Sequence, residues 1–258
     1  MQHQRTTDEG AQPLTNPVIR RLRFSHLWKA AKTYEDAFEF DPCILYLQAD
    51  GKPSPAATRA RLLVVLGLWS LKGLFLTINR GSAFIFAYPD VLRRDNAPFE
   101  RMIDALLSAI ANGAKRTKEQ RKRKNEVEEK SKVVLDATIR DRMEDMIRVG
   151  PLATEPESQG KGYGGALLEV INDFADERSK AMWLLSSNIL NEPFYNSHGF
   201  ETVGTFYVGE GNPEWTKKPI PVQIMVREPK NKSETRTMRR PDTNIKHCDP
   251  VFPLYSLF

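Results

Sequence analysis

Cysteine is nearly missing from this chain: its 258 residues include only Cys43 and Cys248. Two thiols so far apart make no disulfide framework, and a reducing interior, cytoplasmic or nuclear, is the setting expected. Long apolar runs are scarce too. Leu62 to Leu76 falls short of the about 20 residues that cross a bilayer, and Gly67, Lys72 and Gly73 interrupt it. Arg59, Arg61 and Arg80 bracket this run, which therefore reads as a buried helix and an adjoining strand, with no membrane partner expected. Met1 to Thr15 is polar, without the apolar segment of a signal peptide. The formal net charge is only +5, which favours solubility over a dedicated polyanion partner. No Gly-x-x-x-x-Gly-Lys-Ser/Thr occurs, which excludes a P-loop. A chain of this length holds one domain of ordinary size with tails and an insertion, and no second catalytic domain.

What the chain does have is glycine in one place. The run Leu152-Ala153-Thr154-Glu155-Pro156-Glu157-Ser158-Gln159-Gly160-Lys161-Gly162-Tyr163-Gly164-Gly165 joins a short apolar strand to a helix. Glycines let an anion approach the backbone, and the unpaired N–H groups at a helix start point at it, so a phosphate or pyrophosphate is the expected ligand. Gly160-x-Gly162-x-x-Gly165 also fits the dinucleotide fingerprint. That reading needs an acidic residue at the end of the next strand to hold a ribose, and Met182 to Leu185 ends instead in Ser186-Ser187-Asn188. A plain strand-to-helix loop is the remaining alternative.

Around this turn the pattern alternates strands with helices. Val18 to Leu22 reads as a strand, and Ser25 is the expected N-cap of a helix carrying Leu27, Trp28, Ala31, Tyr34 and Phe38 at helical spacing, stopped by Asp41-Pro42. A link at Pro53 to Pro55 leads to the apolar run, then to a hairpin of Leu74 to Ile78 and Ala83 to Ala87 around Asn79-Arg80-Gly81. Phe99 to Asp145 is charged and helix-favouring. Its basic run from Lys115 to Lys132 lacks interleaved aromatics to stack bases, so a solvated helical face is expected there and nucleic acid is not. Met146 to Thr154 reads as the central strand, Gly162 to Arg178 as a helix and Met182 to Ser187 as a strand. A short helix from Asn191 and strands at Thr202 to Val208 and Val222 to Arg227 follow. Beyond Pro229 the chain is basic, polar and aperiodic, as a disordered tail is.

Read as Gln159-x-x-Gly162-x-Gly164, the turn resembles the acyl-coenzyme-A signature of the GNAT superfamily of N-acetyltransferases. Asn191-Glu192-Pro193-Phe194-Tyr195-x-x-x-Gly199-Phe200 resembles that family's second block, in the right order and spacing. The closing region, with Pro213, Trp215 and Pro219, is loosely similar to puromycin-type acetyltransferases. The resemblance implies an α/β fold, a GNAT-like mixed central β-sheet flanked by helices. Residues 16–228 would form the domain, with a helical insertion at about 99–145 and disordered segments at 1–15 and 229–258.

It also implies acetyl-CoA as donor, no metal, and an amine acceptor of unread identity. Gln159, Gly160, Lys161, Gly162, Tyr163, Gly164 and Gly165 would cradle the pyrophosphate, Lys161 adding charge. Leu152, Ala153 and Thr154 would lie along the pantetheine arm, Asn191 would touch it, and Tyr195 would hydrogen-bond the sulfur. A phenol of pKa about 10 stays protonated at neutral pH and can donate to a departing thiolate. Glu144, Asp145, His198 and His26 are conceivable bases, each equally explained by solvation or capping. The other functional class compatible with these motifs is a non-catalytic acyl-CoA sensor or scaffold that holds a partner on the basic run.

Overall fold

The computed structural model describes residues 17–49, 51, 54–88, 97–113 and 116–230. The expected link at Pro53, the start of the basic run at Lys115, Cys248 and both expected disordered segments, apart from Pro229 and Lys230, lie outside the described residues. Seven strands form one sheet in the order β1-β2-β3-β4-β5-β7-β6. They are β1 (Ile19–Arg21), β2 (Leu74–Ile78), β3 (Ala83–Tyr88), β4 (Ile147–Thr154), β5 (Met182–Ser186), β6 (Glu201–Val208) and β7 (Ile220–Arg227). Only β4 and β5 pair in parallel, so the sheet is mixed. The hairpin of β2 and β3 turns through Asn79-Arg80-Gly81, as its turn chemistry predicts.

Alternation along the strands sends side chains to two faces. On one face α6 (Tyr163–Glu177) buries Leu167, Leu168, Ile171 and Ala175 against Ile85, Ile147, Met182 and Leu184. The opposite face carries two helical groups. Over β2, β3 and the end of β4 lie α1 (Leu27–Ala37), α3 (Pro55–Lys72) and α4 (Ala97–Gly113), packed on Phe75, Phe84, Phe86 and Ala153. Over β5, β6 and β7 lie α2 (Pro42–Gln48) and α5 (Lys118–Thr138), packed on Trp183, Phe206, Val222 and Ile224.

Two local expectations give way. Ser25 does not cap α1, because residues 24–26 form a 3-10 turn and His26 takes the N-cap position without a side-chain bond. Asp41-Pro42 does more than end a helix. Asp41 Oδ1 accepts from Ile44 N at 2.9 Å, and Pro42 stands where a missing N–H costs nothing, so the pair starts α2.

The charged stretch is two helices, and α5 is solvated on one side, as expected, but buried along the other. Gln120, Arg123, Val127, Ser131 and Leu135 form a buried stripe along it. Arg123 is 2 % exposed and donates to Tyr46 O at 2.9 Å, to Glu119 Oε1 at 2.6 Å and to Glu214 O at 3.1 Å. Of the remaining charges, Lys124 pairs with Glu128 at 2.5 Å and Lys130 with Glu126 at 2.9 Å. Among the described residues, no helix is long and apolar enough to cross a membrane.

A buried ion pair ties β7 to α6. Arg227, 2 % exposed, makes two parallel 2.7 Å hydrogen bonds to Asp176, whose second donor is Lys230 N at 2.9 Å. The guanidinium holds the Asp176 carboxyl below its ordinary pKa. Stability from such a group is complete above the unfolded carboxyl's value, about 3.9, and is lost as pH falls through the lower folded one. Asp176→Asn strands Arg227 without its anion, which typically costs about 3 to 5 kcal/mol. The expected result in urea unfolding at neutral pH is a lower midpoint at unchanged slope, the gap to wild type closing in acid.

Candidate functional site

The site begins with a gap in the sheet. β4 and β5 pair only through Ile147 with Met182 and Arg148 with Trp183. Beyond these, Leu184 to Ser186 pair with β7 and Leu152 to Thr154 with β3, leaving the facing edges of both strands apart. The cause lies in β4. Ile85 stands opposite Leu152 and Ala87 opposite Val149, so Gly150 and Pro151 together face the single Phe86, a β-bulge. A Cβ on Gly150 would come within 2.9 Å of the Phe86 ring, and Pro151 has no N–H to give to a neighbouring strand.

The gap opens into a cavity of about 70 Å³. From β4 come Arg148 to Leu152, and from β5 and its exit Leu185, Ser186 and Ser187. Asn191 and Tyr195 reach it from the start and body of α7 (Glu192–Ser197). Phe38, Asp41 and Ile44 reach it from the α1–α2 link. The Tyr195 ring packs edge-on against Phe194 and Phe200 at centroid distances of 5.2 and 6.0 Å. Burial, with the Asp41 charge as the lesser cause, pushes its hydroxyl up to about 12. The phenol is therefore a proton donor across the physiological range.

At the far end of β4 the glycine turn leads into α6. Gly160 (φ 77°) and Gly162 (φ 75°) take left-handed conformations, and a Cβ built on either meets nothing within 4 Å. The first amide of the helix with an i−4 partner is Ala166 N, which donates to Gly162 O at 3.0 Å. The N–H groups ahead of it in the first turn have no intrahelical acceptor, the arrangement an anion needs. Lys161 is exposed beside them, and Gln159 Nε2 ties the turn to Thr154 O at 3.2 Å.

Packing needs glycine at Gly165, while at Gly164 a side chain would start at ordinary contact distance. A Cβ would meet the Phe194 ring at 3.6 Å on Gly164, and His198 Nε2 at 3.0 Å on Gly165. Tyr163 turns toward the β2–β3 turn, accepting from Asn79 Nδ2 at 3.3 Å, and Ala153 sends its side chain into the α1–α3 core. The structure thus brings Leu152, Asn191 and Tyr195 into one cavity and sets Thr154 and residues 159–162 at the end of its strand.

None of the four conceivable bases lines that cavity. Glu144 and Asp145 are exposed in the 3-10 turn before β4, and Asp145 pairs with Lys180 at 3.6 Å. His198 Nδ1 lies 2.8 Å from Phe194 O. His26 lies beside Arg23 and Arg80 at a separate groove. The carboxylate that does face the cavity is Asp41, which the sequence reading left as a helix stop; its Asp-Pro pair was the signal for a cap.

A sequence model described as the acetyltransferase (GNAT) domain matches residues 126–202. An uncharacterized N-acetyltransferase of Schizosaccharomyces pombe is 32% identical over 85 residues, which span 33% of this chain and 32% of that protein. Arylalkylamine N-acetyltransferase 2 from Aedes aegypti superposes with a TM-score of 0.58 at 13% identity, over 83% of this chain and 99% of that one. A Corynebacterium glutamicum structure titled histone acetyltransferase HPA2 and related acetyltransferase gives 0.52 at 16% identity, over 85% and 100%. At such identities the two structures speak for the fold alone. The match to the domain model ends before Pro213, Trp215 and Pro219, and the puromycin-type likeness has no support. A parallel pair opened by a bulge, a glycine turn at its end and the matched residues around both agree: residues 126–202 are similar to the acetyltransferase (GNAT) domain.

Proposed function

We propose that this protein transfers an acetyl group from acetyl-CoA to a primary amine by direct attack, inside a reducing compartment. The observation that carries the reading is the gap between β4 and β5, with an anion cradle at one end and a buried phenol on its flank. Bound acetyl-CoA supplies the thioester. Gln159 to Gly164 hold its pyrophosphate through backbone N–H groups, with Lys161 adding charge. The freed edge of β4 at Leu152 to Thr154 offers amide groups to the pantetheine arm, and Asn191 borders that arm at the mouth of the cavity.

Tyr195 faces the sulfur. Moving a whole proton from a phenol at about 12 to a thiolate of pKa about 8.5 is uphill. Its contribution is therefore a hydrogen bond that strengthens as sulfur gains charge in the transition state. Neither Cys43, buried under α5, nor any other thiol among the described residues lines the cavity, so no acyl-enzyme step is invoked. Of the basic run that a scaffold would use, Arg123 is spent on core contacts and Lys124 and Lys130 on ion pairs within α5, while Lys118, Arg121, Lys122 and Lys132 stay exposed.

Two variants test the two ends of the gap. In Gly164→Glu the Cβ makes ordinary contact with Phe194 and Leu152, and a carboxylate so close to the amides of the turn is expected to abolish acetyl-CoA binding in isothermal titration. Unchanged affinity in a folded variant would refute the cradle. Tyr195→Phe keeps the ring contacts and loses one donor, so single-turnover acetyl transfer should slow about 10² to 10³-fold at unchanged cofactor affinity. A wild-type rate would leave Tyr195 a packing residue.

A further inference from the structure

We propose that Asp41, in the α1–α2 link, binds the ammonium of the amine acceptor in this cavity and takes its proton. The inference rests on the acetyl-transfer reading above. The cavity is lined from both faces of the sheet. Tyr195 and Asn191 belong to α7 and its start, and the Tyr195 ring packs with the α6 side, whereas Phe38, Asp41 and Ile44 come from the α1–α2 link on the opposite face. A donor held from the glycine turn leaves the wall at the α1–α2 link to the acceptor.

Asp41 is 8 % exposed. Its Oδ2 accepts from the Ser187 hydroxyl at 2.6 Å and its Oδ1 from Ile44 N at 2.9 Å, with Cys43 N as a third donor. A carboxylate has about four acceptor sites, so one is left over on a group that lines the cavity. Burial raises its pKa, opposed only by these uncharged donors. Capping α2 needs no charge, since Ser or Asn would serve. A buried carboxylate held only by neutral donors is completed by a cation.

The groups facing it agree. Tyr34 of α1 and Tyr195 of α7 both feel its charge, and Arg148 of β4 lines the same cavity. Phe38, Ile44, Leu152 and Leu185 supply apolar wall for an alkyl or aryl body.

The step balances. The ammonium gives one proton to Asp41, which later passes it to water. The freed nitrogen pair bonds to the acetyl carbon, the carbon–sulfur bond breaks with its electrons going to sulfur, and the second nitrogen proton ends on that sulfur. The sum is an N-substituted acetamide, a free thiol and one released proton. Raising the Asp41 carboxyl narrows its gap to an alkylammonium of pKa about 10.4. Asp41 must be ionised to act, so activity falls as pH drops through its raised pKa.

The test follows thiol release from acetyl-CoA with n-butylamine, phenethylamine and putrescine, across about pH 5 to 9. It compares wild type with Asp41→Asn and Asp41→Ser, both of which keep a cap. Wild type should acetylate at least one of the three amines. Both variants should hold their melting temperature and acetyl-CoA affinity, lose about 10² to 10⁴-fold in kcat/KM, and lose the acidic limb of the pH profile. Folded variants with the wild-type rate and limb overturn the role of Asp41 and leave acetyl transfer standing. A wild type that binds acetyl-CoA but acetylates none of the three overturns the placing of an acceptor ammonium at Asp41. A wild type that does not bind acetyl-CoA overturns both readings.

Discussion

The bulge at Gly150-Pro151 is the constraint on which the rest of the site depends. One extra residue in β4 breaks register with β3, and the proline removes a donor at the position where a ladder to β5 would continue. Pairing stops after Trp183, yet both strands keep their outer partners, so the gap costs no support on either side. Unpaired backbone is expensive when buried and useful when it borders a ligand. The cavity is where this sheet exposes it.

The helical layer is arranged around the same gap. One group of helices covers β2, β3 and the end of β4, another covers β5 to β7, and the α1–α2 link passes between them. Asp41 sits in that link, with one oxygen spent on starting α2 and the other bonded to Ser187 at the exit of β5. The cap thereby fixes a charged group to both sides of the opening. Buried cations elsewhere are handled by pairing: Arg123 with Glu119 and backbone carbonyls, Lys72 with Asp104 and Glu100, Arg227 with Asp176. Each joins separate elements, which gives direction to packing that apolar contact alone leaves loose.

The strands and α6 were legible because period and punctuation agreed there. β4 shows its alternation, Gly162 sits in the left-handed conformation that glycine permits, and the β2–β3 turn carries Asn79-Arg80-Gly81. Two features escape the sequence for physical reasons. The buried stripe of α5 mixes Gln120, Arg123 and Ser131 with Val127 and Leu135, so the packed side of this helix is hidden among polar residues. The seven residues of α2 are too few to show a period. Of the site residues, the glycines divide: Gly160 and Gly162 take the left-handed conformations of the turn, while Gly165 admits the His198 ring. Spacing cannot tell those uses apart, because that ring comes from the end of α7.

By itself the sequence determined the order of strands and helices, the glycine turn at a helix start and the phenol of Tyr195, since periodicity, turn chemistry and motif are local properties. Tertiary structure decided which strands separate, which carboxylate reaches the gap, and which arginine is buried. Those depend on contacts such as Phe86 with Gly150 and Asp41 with Ser187, 146 positions apart, and no local pattern encodes a partner so distant along the chain.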